Sequence, residues 1–239
     1  MQATAFLESI REEEPNQTAQ AIEYPESDGK PMGETDFHIA AILYLRAALR
    51  AFFRQVADVY VAADMLFYYE EGDRNVYKVP DVFVVKGIAK HDRRTYKLWE
   101  EKTPPTVIFE ITSKGTRWDD TGEKKGLYAE LGVQEYYLFD PLGEYLKPRL
   151  QGFRLVQGAY QPMPLAKDGT LTSQQLGFIL QPDRELLRVV DPTTKDVVPT
   201  LDEAIESKAE AEARAETAEA ALAQMRAEIE RLKRLAGLN

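Results

Sequence analysis

Two acidic residues stand where the sequence otherwise predicts buried strands. Asp81 follows Pro80 and precedes the apolar run 82–85, and Glu110 lies inside the apolar segment 107–111. An ionised carboxylate is costly to bury unless it is paired or binds a cation. If the two strands are neighbours, both carboxylates meet at one edge of a sheet, where a cation can reach them.

These residue types favour a divalent metal site. The carboxylates of Asp81 and Glu110, together with the backbone carbonyl of Ile111, are the oxygen ligands that Mg²⁺ prefers, with Mn²⁺ as an alternative ion. Such an ion makes a bound water more acidic and stabilises negative charge that builds on a phosphate. A nearby lysine would orient the nucleophile or stabilise the transition state. The pattern therefore predicts a metal site suited to hydrolysis of a phosphate ester.

The elements that would position these residues alternate between helix and strand. A helix is predicted from Thr35 or Asp36 to about Arg54, because a capping residue precedes apolar residues at helical spacing. The elements predicted after it are strands at 58–69, 80–87 and 104–112, a helix at 119–131 that ends before Gly132, a strand at 133–141, and strands or hairpins at 143–190. This order predicts a mixed α/β (α+β) domain.

Several sequence blocks resemble a known family. Pro80-Asp81 before one strand and Glu110 within the next are similar to the PD-(D/E)XK nuclease superfamily. The segments EYPESDGKPM, VPDVFVV, PPTVIFEITS and KKGLYAELGVQEYYLFDP resemble more closely the bacterial Uma-two family of restriction endonucleases. The resemblance spans residues 23–141 and extends to about residue 190. It implies a restriction-endonuclease-like core of a mixed sheet flanked by helices, and a Mg²⁺-dependent endonuclease that hydrolyses phosphodiester bonds in DNA.

The lysine that this resemblance requires is not at its usual position. The superfamily places a lysine two residues after the glutamate, where this chain has Thr112. The family resemblance implies that the lysine has moved to the following helix, in the four-residue spacing from Asp120 to Lys124. Lys114 and Lys125 are the alternatives. Taken alone, Asp120 and Lys124 would also be an ordinary exposed ion pair on a helix surface.

Other polar residues are less informative. The two histidines are too few and too isolated for a zinc site, and His38 is expected on the surface of the first helix. The basic stretch 90–97 is expected to be a solvated loop, or on a nuclease to contact phosphates. Glu23 and Glu34 are further candidates for an acid near the metal.

The C-terminal segment has a heptad pattern. Steps of three and four residues select the seam Leu201, Ala204, Lys208, Ala211, Ala215, Ala218, Leu222, Met225, Ile229, Leu232 and Ala236. Five heptads of this kind favour a coiled coil. The alanine-rich first half buries little, whereas residues 222–232 could hold a homodimer. The coil is expected to be antiparallel or intermolecular, and a single solvated helix is the alternative.

Composition limits the classes of site and the domain organisation that the chain can have. The chain has 239 residues, no cysteine and a net charge of −10, which excludes disulfides and cysteine-based zinc sites. We expect an acidic arm at 1–34, a nuclease-like domain at 35–195 and a helical tail at 200–239. No signal peptide or membrane span is evident, so a cytoplasmic location is expected. Two alternative functions stay open: a metal-dependent phosphodiesterase that acts on another substrate, RNA included, and a catalytically inactive nuclease fold that binds partners through its coiled coil.

Overall fold

The computed structural model describes residues 22–29 and 34–236. Most of the predicted acidic arm at 1–34 therefore lies outside the described residues. The part at 22–29 has no helix or strand, but Tyr24 packs against Tyr68 and Trp99 with ring centroids 5.1 and 5.0 Å apart. These contacts attach the described end of the arm to the domain.

Five helices and twelve strands make up the described residues. In chain order they are α1 Asp36–Phe52, β1 Val59–Ala63, β2 Phe67–Tyr68, β3 Tyr77–Lys78, β4 Val82–Lys86, β5 Tyr96–Lys97, α2 Leu98–Glu101, β6 Val107–Ile111, α3 Arg117–Thr121, α4 Glu123–Glu130, β7 Glu135–Phe139, β8 Leu150–Val156, β9 Ala159–Pro162, β10 Leu171–Ser173, β11 Phe178–Asp183, β12 Leu186–Val190 and α5 Leu201–Leu235. The predicted mixed α/β fold is confirmed.

The central sheet has six strands in the order β1-β4-β6-β7-β8-β9. All neighbours are antiparallel except β6 and β7, which are parallel. Parallel neighbours need a crossover connection, and α3 and α4 provide it between these two strands. Two small sheets, β10-β11-β12 and β3-β2-β5, complete the fold.

Helices cover the central sheet on both faces. In β6, Val107, Phe109 and Ile111 join the apolar cluster that contains α1. Ile108 joins the opposite cluster, which contains Tyr128 of α4. Because side chains alternate along a strand, Glu110 shares the α4 face with Ile108. The site predicted from the sequence therefore lies beneath the crossover helices.

The structure corrects two of the predicted elements. The strand expected at 58–69 is divided into β1 and β2, with Asp64 between them at a φ of 48°. The helix expected at 119–131 is divided into α3 and α4 at Gly122. The first helix starts at Asp36 and is capped by the Thr35 side chain, as expected. Residues 143–190 form strands β8 to β12, also as expected.

The tail is a single 35-residue helix, α5. Thr200 and Glu203 form a capping box at its start, and Glu203 also accepts hydrogen bonds from both terminal nitrogens of Arg188 on β12. The prediction of one long helix is confirmed, whereas its pairing into a coiled coil stays a prediction. In the described part of the chain, no helix is both long and apolar enough to cross a membrane.

Candidate active site

The strand register brings Asp81 and Glu110 together. Strands β4 and β6 are antiparallel neighbours in which Val82 pairs with Phe109, so the next step of the same register sets Asp81 opposite Glu110. The Asp81 amide lies 3.4 Å from Glu110 Oε2. The Ile111 amide donates a 2.6 Å hydrogen bond to Asp81 Oδ2. The backbone of β6 thus orients the Asp81 carboxylate beside Glu110.

The Glu110 side chain has no exposed surface. Lys124 Nζ donates to Glu110 Oε2 at 2.9 Å, and the Tyr128 hydroxyl donates to Glu110 Oε1 at 2.9 Å. Both donors come from α4, one turn apart. Each carboxylate oxygen therefore has a partner, and one of these partners is a cation.

Asp120 extends this network to α3. Lys124 Nζ donates a second 2.9 Å bond to Asp120 Oδ1, and the Tyr136 hydroxyl donates to the Asp120 carbonyl at 2.9 Å. Asp120 is 1% exposed and Lys124 is 8% exposed. The alternative of an ordinary solvent-exposed pair is therefore wrong: Asp120 and Lys124 are buried, and the lysine is shared with Glu110.

The two alternative lysines lie elsewhere. Lys114 is exposed. Lys125 Nζ lies 3.5 Å from the centre of the Phe153 ring. Thr112, at the position where the superfamily has its lysine, is buried, and its hydroxyl has no hydrogen-bond partner among the described residues. Of the three lysines, the structure brings only Lys124 into contact with Glu110.

His38 was not identified as a site residue from the sequence, and its expected place on the helix surface is wrong. It is 4% exposed, and its Nε2 lies 3.4 Å from Asp81 Oδ2 while its Nδ1 lies 2.6 Å from Glu34 Oε2. Burial alone would lower the pKa of His38, but the carboxylates of Asp81 and Glu34 raise it above its usual value. The acid pair Glu34 and Asp81 thus flanks this imidazole.

The electrostatics of the network follow from burial and from three neighbouring acids. Burial raises the pKa of Glu110 to about 8; Lys124 opposes this rise, while Asp81 and Asp120 add to it. Burial also raises the pKa of Asp120. Burial disfavours the Lys124 ammonium, but Glu110 and Asp120 outweigh this and raise the lysine pKa above its ordinary value. The site holds negative charge that one lysine only partly offsets.

The donor set suits a hard divalent cation. Asp81 and Glu110 offer carboxylate oxygens, and Asp120 Oδ2 is buried without a hydrogen-bond partner among the described residues. Within those residues, no group of three or more histidines and acids is placed so that it could hold a metal ion. Mg²⁺ does not require such a group, because it retains several waters and binds through one or two carboxylates. The residues present therefore fit such an ion.

The basic stretch 90–97 is largely engaged in contacts within the protein. Arg93 forms a two-point ion pair with Glu101 and lies 4.3 Å from the centre of the Tyr60 ring. Arg94 pairs with Glu26 at 2.8 Å, and Lys97 pairs with Glu100 at 3.0 Å. These contacts explain the charges without a phosphate ligand.

Comparisons with known proteins identify the family of this chain. A model of the Uma2 family, described as "Putative restriction endonuclease", matches residues 7–183. A search of curated proteins found no match. A crystal structure of "a putative nuclease belonging to DUF820" from Anabaena variabilis is 15% identical, with 65% of this chain and 86% of that chain covered and a TM-score of 0.45. Since the family model covers most of its length, the chain belongs to the Uma2 family of putative restriction endonucleases.

Proposed function

We propose that this protein is a Mg²⁺-dependent endonuclease that hydrolyses phosphodiester bonds in DNA. The observation that carries the proposal is the 2.9 Å contact between the buried Lys124 and Glu110, directly beside Asp81. Membership of a restriction endonuclease family supports nuclease activity and the use of a divalent ion in general. The choice of Mg²⁺, of DNA and of these catalytic residues is our proposal.

Asp81 and Glu110 would hold the ion with their carboxylates, together with the Ile111 carbonyl. The hydrogen bond from the Ile111 amide to Asp81 Oδ2 limits rotation of that carboxylate. The Tyr128 hydroxyl does the same for Glu110. When bound, the ion supplies Lewis acidity that activates water and stabilises charge on the phosphate. Fixed ligand oxygens reduce the cost of ordering the site.

Lys124 would stabilise the extra negative charge of the transition state. Its ammonium is held by Glu110 and Asp120 rather than by solvent, so little reorganisation is needed when charge develops. Its raised pKa keeps it protonated at neutral pH. Lys124 on α4 thereby takes the part that the superfamily assigns to a lysine at the position of Thr112.

Cleavage assays test this function directly. The protein should cut DNA in Mg²⁺ or Mn²⁺ and not in a chelator, on one or more of single-stranded, duplex and branched DNA, with RNA as a parallel substrate. Asp81→Asn should abolish cleavage, because the substitution keeps the shape of the side chain and removes its charge. The exposed Asp92 provides the control Asp92→Asn, which should stay active.

A measurement of metal binding distinguishes an active nuclease from an inactive nuclease fold. A divalent ion that binds the folded state must raise the melting temperature. A rise in the wild type that Asp81→Asn removes would support the proposed ligands. A protein that shows neither this rise nor cleavage would instead be the partner-binding module with an inactive site. Cleavage of RNA alone would change the substrate and leave the site in place.

We also propose that the nuclease-like domain at 35–195 assembles as a homodimer through the tail at 200–239. A chain that ends after Ser207 keeps the capping box and the bond from Arg188 to Glu203. It should fold with an unchanged melting temperature and sediment as a monomer. Equal sedimentation of the full and shortened chains would show that the tail is not the assembly element.

A further inference from the structure

Helix α5 carries an apolar face that no described residue covers. Leu222, Met225, Ile229 and Leu232 are 46, 57, 51 and 52% exposed. Their spacing of three and four residues places them on one side of the helix. Every described residue of α5 is exposed, so the rest of the domain does not bury this seam.

We propose that this face binds the same face of a second copy, with the two helices parallel and in register. This inference rests on the dimer part of the proposed function and specifies its geometry. The seam residues occupy alternating a and d positions of the heptad, with Leu222 and Ile229 at a and Met225 and Leu232 at d. The residues that flank the seam at e and g decide the direction of pairing.

The flanking charges are complementary in the parallel arrangement. In a parallel coil, a g residue lies near the e residue five positions later on the other helix. Arg214 at g then faces Glu219 of the second copy, and Glu228 at g faces Lys233 of the second copy. Because the parallel dimer has two-fold symmetry, each of these charge pairs occurs twice. The remaining g to e neighbours within 207–233 pair a charged residue with serine or alanine, so no like charges meet.

The antiparallel arrangement brings like charges together. When residues 222–232 of two antiparallel helices overlap fully, each e residue lies near an e residue of the other helix, and each g residue lies near a g residue. Arg226 at e then faces Arg226 of the second copy, and Glu228 at g faces Glu228 of the second copy. Sliding one helix by a heptad would remove these repulsions, but it would set Ile229 opposite Ala218 and Leu232 opposite Ala215 and so bury less apolar surface. Charge and apolar burial together therefore favour the parallel dimer.

Lys208 is the one charged residue of the seam. In the structure it lies 3.7 Å from Glu212, one turn along the same helix. A single lysine at an a position weakens a coil but specifies its register and number of strands. The alanine positions around it bury little surface. The strong part of the interface is therefore the segment from Leu222 to the end of the helix.

Parallel pairing places both nuclease domains at the same end of the coil. The start of α5 is attached to the domain through Glu203 and Arg188, so each domain adjoins the first turn of its own helix. Two candidate sites would then be available to one nucleic acid molecule at the same time. An antiparallel pair would instead separate the domains by about the length of the overlapped helices, at 1.5 Å per residue.

Cysteine cross-linking tests the orientation, because the full chain contains no cysteine of its own. In a parallel, in-register dimer the d residue Ala218 meets itself, so Ala218→Cys should form a disulfide-linked dimer under mild oxidation. Ala220, two residues later at f, faces away from the seam and gives the matched control Ala220→Cys. The control should stay largely uncross-linked at the same protein concentration.

Each outcome decides the matter. Cross-linking of Ala218→Cys and not of Ala220→Cys supports the inference. A dimer by sedimentation in which Ala218→Cys does not cross-link would overturn it in favour of antiparallel pairing. A monomer would overturn it altogether. These readouts do not involve cleavage, so an inactive protein would refute the proposed nuclease function and leave the parallel dimer standing.

Charge reversal gives an independent check. In the parallel dimer, Glu228→Lys turns two attractive pairs into two repulsive ones and should weaken dimerisation roughly tenfold. The double variant Glu228→Lys with Lys233→Glu restores opposite charges and should restore the dimer. In the antiparallel dimer, Glu228→Lys would only replace one like-charge pair at position 228 with another. The double variant would in addition place a glutamate at position 233 near Glu219 of the second copy, which repels it. Failure of the rescue would therefore contradict the parallel register.

Discussion

Glu110 and Glu135 are both carboxylates without exposed surface, on the neighbouring strands β6 and β7. Glu135 accepts hydrogen bonds from the Ser173 hydroxyl and the Gln174 amide, and Arg154 Nη2 lies 3.6 Å from its Oε1. Glu110 instead shares the buried Lys124 with a second acid, Asp120. Burial of an acid in a strand is thus not enough to mark a catalytic site, whereas a shared lysine beside a second acid is a specific arrangement.

The first prediction at the residue scale concerns Lys124. Replacing it with alanine removes the cation between Glu110 and Asp120, so cleavage should fall by about 10²- to 10³-fold, the usual loss for one preorganised charge. Breaking a buried ion pair should also cost about 3 to 5 kcal/mol of unfolding free energy. The stabilisation by Mg²⁺ should remain, because Asp81 and Glu110 are unchanged. Cleavage rates and thermal melts with and without Mg²⁺ measure all three effects.

Lys114 provides the control for this prediction. It is exposed and is not in contact with Glu110, so Lys114→Ala should keep most activity and nearly the wild-type melting temperature. The reverse pattern would assign the catalytic role to Lys114. A double variant that still cleaves would remove lysine from the mechanism.

A second prediction concerns the proton on Glu110. Because burial raises its pKa to about 8, the folded protein holds a proton there at neutral pH that a divalent ion must displace. Mg²⁺ binding should therefore release protons, and the affinity should increase as the pH rises towards about 8. Calorimetry in buffers of different ionisation enthalpy measures this release. The variant Glu110→Gln should bind Mg²⁺ without releasing protons. If the binding heat of the wild type does not depend on the buffer, no proton is displaced from Glu110.

The sequence predicted Asp81, Glu110 and Lys124 as site residues but not His38. Asp81 and Glu110 follow from a local pattern, an acid before or inside an apolar strand, whereas Lys124 follows from the family resemblance, which implies a lysine four residues after Asp120. The role of His38 depends on how α1 packs against the start of β4, which brings the imidazole within 3.4 Å of Asp81. A contact of that kind arises from tertiary packing, so no pattern within a single element could indicate it.

At the scale of elements, the break at Gly122 lets two short helices share one ion pair. Asp120 belongs to α3 and Lys124 to α4, yet their side chains meet at 2.9 Å. The sequence predicted one continuous helix here because the four-residue spacing and the good helix formers on both sides are typical of one. It could not show the break, which depends on how closely the backbone of α3 approaches residue 122.

The third prediction tests this break. A Cβ at position 122 would lie 2.9 Å from the Trp118 carbonyl, closer than a real contact, so Gly122→Ala should lower the unfolding free energy by about 1 to 3 kcal/mol. Gly126 lies inside α4 with open space around it. Gly126→Ala should therefore raise the unfolding free energy by about 0.5 to 1 kcal/mol. Urea unfolding measures both, and equal effects would contradict the crowding at Gly122.

The boundaries of the elements were predicted correctly where they depend on adjacent residues, and wrongly where they depend on tertiary contacts. Thr35 capped the first helix at the predicted position because capping is a property of a few adjacent residues. The strand predicted at 58–69 was too long, since its apolar pattern continues through the turn at Asp64. The Asp64 amide donates to the carbonyls of Pro80 and Asp81, just before β4, and a tertiary contact of this kind is not visible in the sequence around Asp64.

At the scale of the whole molecule, the proposed function requires the protein to bind a polyanion while it carries a net charge of −10. The basic stretch 90–97 contributes little, because Arg93 and Lys97 are paired with acids of their own domain. The candidate site adds the negative charges of Asp81 and Asp120. Under the proposed function, attraction of phosphates would therefore depend largely on the bound divalent ion.

The last prediction follows from this charge balance. DNA binding by the wild type should need Mg²⁺, and its dependence on monovalent salt should correspond to only about two or three phosphate contacts, with a slope of about −0.9 for each contact. Asp81→Asn, which removes one repelling charge, should bind DNA in a chelator more tightly than the wild type while failing to cleave it. Fluorescence anisotropy over a series of salt concentrations, with Mg²⁺ or with a chelator, measures both the affinity for DNA and the salt slope. Tight binding of the wild type without a metal ion, with a steep salt slope, would instead reveal a basic surface that binds DNA independently of the site.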